Sequence, residues 1–290
     1  MRRNYLNLLL CSYAAALLIC VGGRTYLMLM NYISDRSGLY TGGAGVASVF
    51  NTSLLVFICA WFVMTVLRRG WGDYPVSFSS PMARALLLLT GVGILACVIS
   101  DSIEVISRAM GGYVLPDTFS SYLSATPTAR TLFILALKIL TGLLGTASLI
   151  ILALRGNLGG GKLRLLGIFP AVWQMIVLLE RFTGYISPAH VSNTLLMILF
   201  MIFAPVFLIA QGCTICGLKA PDSRNYLIAS GFAASLAGFS LTVPKIIRAA
   251  IIMDIYPGYS YMFFFHAYVF VFSLYAAVFL YSYIRAIRKV

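Results

Sequence analysis

Apolar residues fill this chain in eight long runs, and polar residues gather in the breaks between them. The runs cover roughly 6–30, 46–67, 83–108, 129–154, 164–182, 191–216, 225–252 and 261–284. A helix needs about 20 residues to cross about 30 Å of hydrocarbon, and each run is close to that length or longer. The breaks carry turn chemistry, as in Asp35-Arg36-Ser37-Gly38, Gly156-Asn157-Leu158-Gly159 and Tyr256-Pro257-Gly258. This pattern predicts an all-α polytopic integral membrane helix bundle with eight transmembrane helices. It is read as a single transmembrane domain over residues 1–290, divisible into four helical hairpins (1–67, 83–154, 164–216 and 225–284).

Composition supports the membrane reading. The 290 residues are 61% hydrophobic and 10% charged, against about 25% charged in soluble domains. No break is long enough to hold a soluble domain. The start, Met1-Arg2-Arg3-Asn4-Tyr5 and then an apolar run, resembles a signal peptide. The run continues to Met30, however, and a signal core has only about 7–15 residues, so an uncleaved first span is expected. All six cysteines lie in apolar runs and suggest no disulfide framework.

The formal net charge is +13. With the N-terminus inside, thirteen of the 21 basic residues but only two of the eight acids fall on the inner side. This is the positive-inside asymmetry of a membrane protein, so the charge needs no nucleic-acid partner. It predicts that both termini are cytoplasmic, and the membrane expected is a plasma membrane.

The remaining charges share a height. Arg24 is 21 residues from Arg3, roughly 31 Å along a helix. Asp101 and Glu104 come out roughly 26 and 30 Å above Arg84, Lys138 roughly 26 Å above Arg155, and Glu180 roughly 24 Å above Arg164. Lys245 and Arg248 lie roughly 32 and 36 Å above Arg224. Asn51 and His266 reach the same layer, and His190 and Asn193 open the sixth run there. The inner half holds little charge, with Gln174 and Gln211 its main strongly polar side chains.

Snorkelling to the headgroups accounts for a single basic residue near a span end. It accounts poorly for acids, whose stems are short. Asp101 lies several residues inside its run, where an ionisable group faces the bundle interior or a wet cavity. Glu104 and Arg108 stand i,i+4 with the acid first, the favourable order for a helical ion pair. The expected site is a polar pocket at the outer face. In it Arg24, Lys138, Lys245 and Arg248 face Asp101, Glu104 and Glu180, with Arg108 and Arg181 beside them. Basic groups outnumber acids there, which points to an anionic or zwitterionic solute. A kink at Pro244 would turn Lys245 and Arg248 inward, and Pro170 and Pro205 could bend their own spans. The odd-numbered runs also end in a recurring basic residue, glycine and tyrosine, as at Arg108, Gly112 and Tyr113, which hints at an internal repeat.

Other chemistry is thin. Cys213-Thr214-Ile215-Cys216 is a lone CxxC with no second ligand pair. Histidines 190 and 266 alone are a weak basis for haem. No phosphate loop, HExxH or Gly-x-Ser-x-Gly is present. No cofactor, metal or nucleic acid is expected, and the partners expected are membrane lipids, a small solute or another membrane subunit. Three functions fit: a permease-like or receptor-like solute binder; a non-catalytic accessory or scaffold subunit, with the charges forming an ion-pair belt; and, third, an intramembrane lipid-modifying enzyme using Asp101 and Glu104 as acid and base.

Overall fold

The computed structural model describes residues 2–30, 44–67, 80–109, 129–156, 166–183, 191–215, 223–252 and 260–289. Among them all regular structure is helical. Helix α1 (Arg2–Ala16) runs through a π-helical turn (Leu17–Gly22) into α2 (Gly23–Leu29). There follow α3 (Ala44–Leu67), α4 (Pro81–Ala109), α5 (Ala129–Arg155), α6 (Phe169–Thr183), α7 (Val191–Ile215), α8 (Ser223–Ile252) and α9 (Ser260–Lys289). Helices are the expected answer to a long apolar run, because in hydrocarbon each backbone polar group must be satisfied within its own segment. Six of the helical segments are long and apolar enough to cross a membrane, and two shorter apolar stretches lie within α3 (Val49–Thr65) and α6 (Phe169–Glu180). The chain thus fits a multi-pass membrane protein.

The run expected from residue 164 begins as α6 only at Phe169, after a turn at 166–168. Pro170 is the second residue of that helix, where its missing N–H costs nothing. Pro205 and Pro244 both lie inside helices that continue past them. At its other end, α5 stops because Gly156 adopts φ +73°, the left-handed conformation that glycine supplies after a last helical turn. The Gly156 N–H bonds the Leu152 carbonyl at 2.9 Å.

Helices α4 to α9 form a closed ring. Each packs on the next, and α9 packs back on α4. Helices α2 and α3 and the π turn gather on α8, which is therefore shared between the ring and the N-terminal group, while α1 packs on α3, the π turn and α9. This explains why 83% of the residues in the most apolar window of α8 are buried. Its sequence is rich in small residues, Ala229-Ser230-Gly231 and Ala233-Ala234-Ser235 among them. A thin helix lets its neighbours approach. A Cβ on Gly231 would lie 2.8 Å from Phe207 of α7 and 2.7 Å from Leu280 of α9, and one on Gly238 would lie 2.0 Å from Ser273 Oγ.

Aromatic side chains fill the ring. Phe200 and Phe207 of α7 meet Tyr268, Phe272, Tyr275 and Phe279 of α9 at centroid distances from 5.4 to 6.2 Å, mostly edge to face. A second aromatic group joins the N-terminal helices to α8, with Tyr13 stacked on Phe232 at 4.6 Å and Trp61 beside both. The Tyr13 and Ser235 hydroxyls are 2.5 Å apart, and Ser235 donates to the Ser273 carbonyl of α9.

Candidate polar site at one end of the bundle

Contacts between helices locate the charges. Asp101 is late in α4, Lys138 is early in α5 and Glu180 is late in α6. Lys138 Nζ nevertheless lies 2.6 Å from Asp101 Oδ2 and 2.8 Å from Glu180 Oε2. These three helices therefore alternate in direction, and the three charges stand at one end of the bundle. Lys138 and Asp101 are 2% and 7% exposed. The Glu180 side chain is 42% exposed and forms the open edge of the triad. A buried ammonium is tolerated here because two carboxylates offset its desolvation.

A second group forms where α2, α7 and α8 meet at the same end. Arg24 is fully buried. Its guanidinium donates to Asn193 Oδ1 of α7 and lies 5.5 Å from the centre of the Phe50 ring of α3, a cation–π distance. Arg248 of α8 donates to the Met28 carbonyl at 3.3 Å, one turn along from Arg24. Lys245, one turn before Arg248, places Nζ 3.0 Å from His266 Nε2 of α9. An ammonium can only donate, so Nε2 accepts and carries no proton in this arrangement. Three cations on two touching helices thus share the polar end of the bundle.

The two groups approach each other at α9. His266 belongs to the cationic group, and Tyr268, two residues on, belongs to a polar rung beneath the triad. Gln174 Nε2 of α6 donates to the Tyr268 hydroxyl across the ring. The rings of Trp173 and Tyr268 meet edge to face at 5.3 Å and 90°. Farther from the polar end, Gln211 Nε2 of α7 donates to the Tyr275 hydroxyl.

Of the expected site residues, the structure brings Asp101, Lys138 and Glu180 together, and separately Arg24, Lys245 and Arg248. Glu104 and Arg108 fall on α4 and Arg181 on α6, and their side chains lie outside the described residues. So do His190, Cys216 and the glycine–tyrosine pairs of the recurring pattern. Pro244 does not separate Lys245 and Arg248 from the bundle, since α8 carries both to partners on α9 and α2. Phe50, the Met28 carbonyl, Trp173 and Tyr268 were not singled out by the sequence. The i,i+7 spacing of Tyr268 and Tyr275, matched by two buried glutamines, was the signal available for the tyrosine rungs. Among the described residues, no three His, Cys, Asp or Glu side chains gather as metal ligands. No protein-family model, curated protein or solved structure matches this chain.

Proposed function

We propose that this protein binds a small anionic or zwitterionic solute at the polar end of its bundle, as a permease or a receptor does. The observation that carries the reading is the meeting of Arg24 and Arg248 within one turn of α2, with Lys245 one turn away on α8. Basic residues in membrane helices are costly to keep and mark sites that handle charge. Two guanidinium groups and an ammonium are donors that suit an anionic group. The Asp101–Lys138–Glu180 triad then offers both signs for a zwitterion's second charge.

In the same proposal the chain crosses a plasma membrane eight times, with both termini in the cytoplasm and the polar end outside. The basic asymmetry along the sequence supports that orientation, and the two shorter apolar stretches in α3 and α6 supply the remaining crossings.

The test uses the full chain in lipid nanodiscs and four labelled probes: phosphate, acetate, glycine and glutamate. Saturable binding of at least one probe, lost in Lys245→Ala/Arg248→Ala while the variant stays folded, is expected. Wild-type protein that binds none of the four would refute the reading for these ligand classes.

A second reading has its own observation. Lys138 is matched by two carboxylates from neighbouring helices, as a structural ion-pair belt requires. An accessory subunit built on such a belt copurifies with a stoichiometric partner from gently solubilised membranes. Purification always as a lone chain counts against it.

A further inference from the structure

The polar end continues inward, and the continuation contains hydrogen-bonding atoms that no group among the described residues satisfies. Trp173 and Gln174 are adjacent on α6 and are 1% and 2% exposed. Trp173 Nε1, a donor, and Gln174 Oε1, an acceptor, are both buried with no hydrogen-bond partner among the described residues. The other end of the Gln174 amide donates to the Tyr268 hydroxyl, a group that can both accept and donate. Leaving a buried donor or acceptor unsatisfied is costly, and native interiors rarely do so. Two such atoms on consecutive residues, both beside Tyr268, form a pair of complementary demands rather than an isolated defect.

Their place in the bundle gives them a use. Trp173 Nε1 lies 3.0 Å from where a Cβ on Gly142 would stand, and Val98 Cγ2 lies 2.4 Å from the same point. Gly142 is one turn along α5 from Lys138, and Val98 is about one turn along α4 from Asp101. The absence of a side chain at residue 142 is what lets the indole edge reach the junction of α4 and α5. Gln174 stands six residues before Glu180, roughly 9 Å deeper along α6. The unsatisfied donor and acceptor are therefore set directly inward of the ion triad.

We propose that Trp173 Nε1, Gln174 Oε1 and the Tyr268 hydroxyl form an inner subsite for a neutral group that both donates and accepts hydrogen bonds. A hydroxyl, a carboxamide or a water molecule has this chemistry. Supplied by a solute, the group is the uncharged part of a ligand whose charges are held by the cations and carboxylates above, so this use rests on the reading of the previous section. Supplied by bulk solvent, it is a hydrated recess beneath the triad. In either case the site needs one donor, one acceptor and an amphoteric hydroxyl, and Trp173, Gln174 and Tyr268, which touch one another, carry them.

The chain has three tryptophans. The test therefore records indole ¹⁵N–¹H signals of the full chain in nanodiscs, with the Trp173 signal assigned by its loss in Trp173→Phe. Exchange into D₂O is followed first, and acetamide is then titrated. A shift of the Trp173 signal by acetamide, retained in Lys245→Ala/Arg248→Ala and weakened at least tenfold in Gln174→Leu and in Tyr268→Phe, identifies a solute subsite. Rapid exchange of the Trp173 indole proton with no acetamide response identifies water as the occupant. An indole proton protected as long as the slowest amides of α8, together with no acetamide response, means dry packing and overturns the proposal. Anion binding at the outer cations is read separately, so either claim can fail alone.

Discussion

Lys138 Nζ stands 2.6 Å from Asp101 Oδ2, with less than a tenth of either side chain exposed. Breaking a buried pair by removing one partner leaves an uncompensated charge and costs about 3–5 kcal/mol. Lys138→Ala is expected to lose stability on that scale in reversible unfolding from mild detergent, and Asp101→Ala, which leaves Lys138 paired with Glu180, should lose less. Lys138→Ala/Asp101→Ala should lose clearly less than the sum of the two, because neither charge is left stranded. Strict additivity would mean that the pair is not coupled.

The close approach of α8 and α9 at Gly238 makes a steric prediction. A Cβ there would lie 2.0 Å from Ser273 Oγ and 3.1 Å from Val269 Cγ1. Overpacking of this kind costs about 1–3 kcal/mol. Gly238→Ala should fall in that range, and Ser273→Ala added to it should restore part of the loss by removing the nearest atom. Thermal midpoints of the single and double variants decide the point.

The Gln211–Tyr275 rung is a hydrogen bond between helices that flank α8. In membrane proteins such bonds couple by about 0.6 kcal/mol and reach about 1.7 kcal/mol. A double-mutant cycle with Gln211→Leu and Tyr275→Phe is expected to return a favourable coupling within that interval. A coupling of zero would mean that the two groups find equal partners elsewhere.

Arg24 touches both an amide oxygen and an aromatic face. A lysine reproduces its charge but not its planar, stacked geometry. Arg24→Lys is therefore expected to weaken anion binding at least tenfold while leaving expression and monodispersity near wild type. An undiminished affinity would remove Arg24 from the site.

Much of this architecture was legible along the chain. Counting 1.5 Å per residue from each basic anchor put Asp101, Lys138 and Glu180 at one height, and they do meet. The same counting could not divide the charges into two groups, because height says nothing about the order of helices around a bundle. The central place of α8 was written in its small residues, but hydropathy alone treats alanine and leucine runs alike. Gln174 and Gln211 stood out as polar residues in an apolar half. Their tyrosine partners did not, since tyrosine in a membrane helix is ordinarily read as an interfacial anchor. Trp173 was hidden for a related reason, as only the position of Gly142 on a neighbouring helix gives its indole edge somewhere to point.

The central claim is that the cationic group at the polar end holds an anion. It is tested most directly by the thermal midpoint of the purified protein in mild detergent, titrated with small anions, amino acids and headgroup analogues. A ligand at about 100 times its dissociation constant should add about 2.7 kcal/mol. The account predicts a stabilisation by at least one anionic or zwitterionic compound that disappears in Lys245→Ala/Arg248→Ala. No stabilisation by any compound, with the double variant merely less stable than wild type, would contradict it and leave the charges as a structural belt.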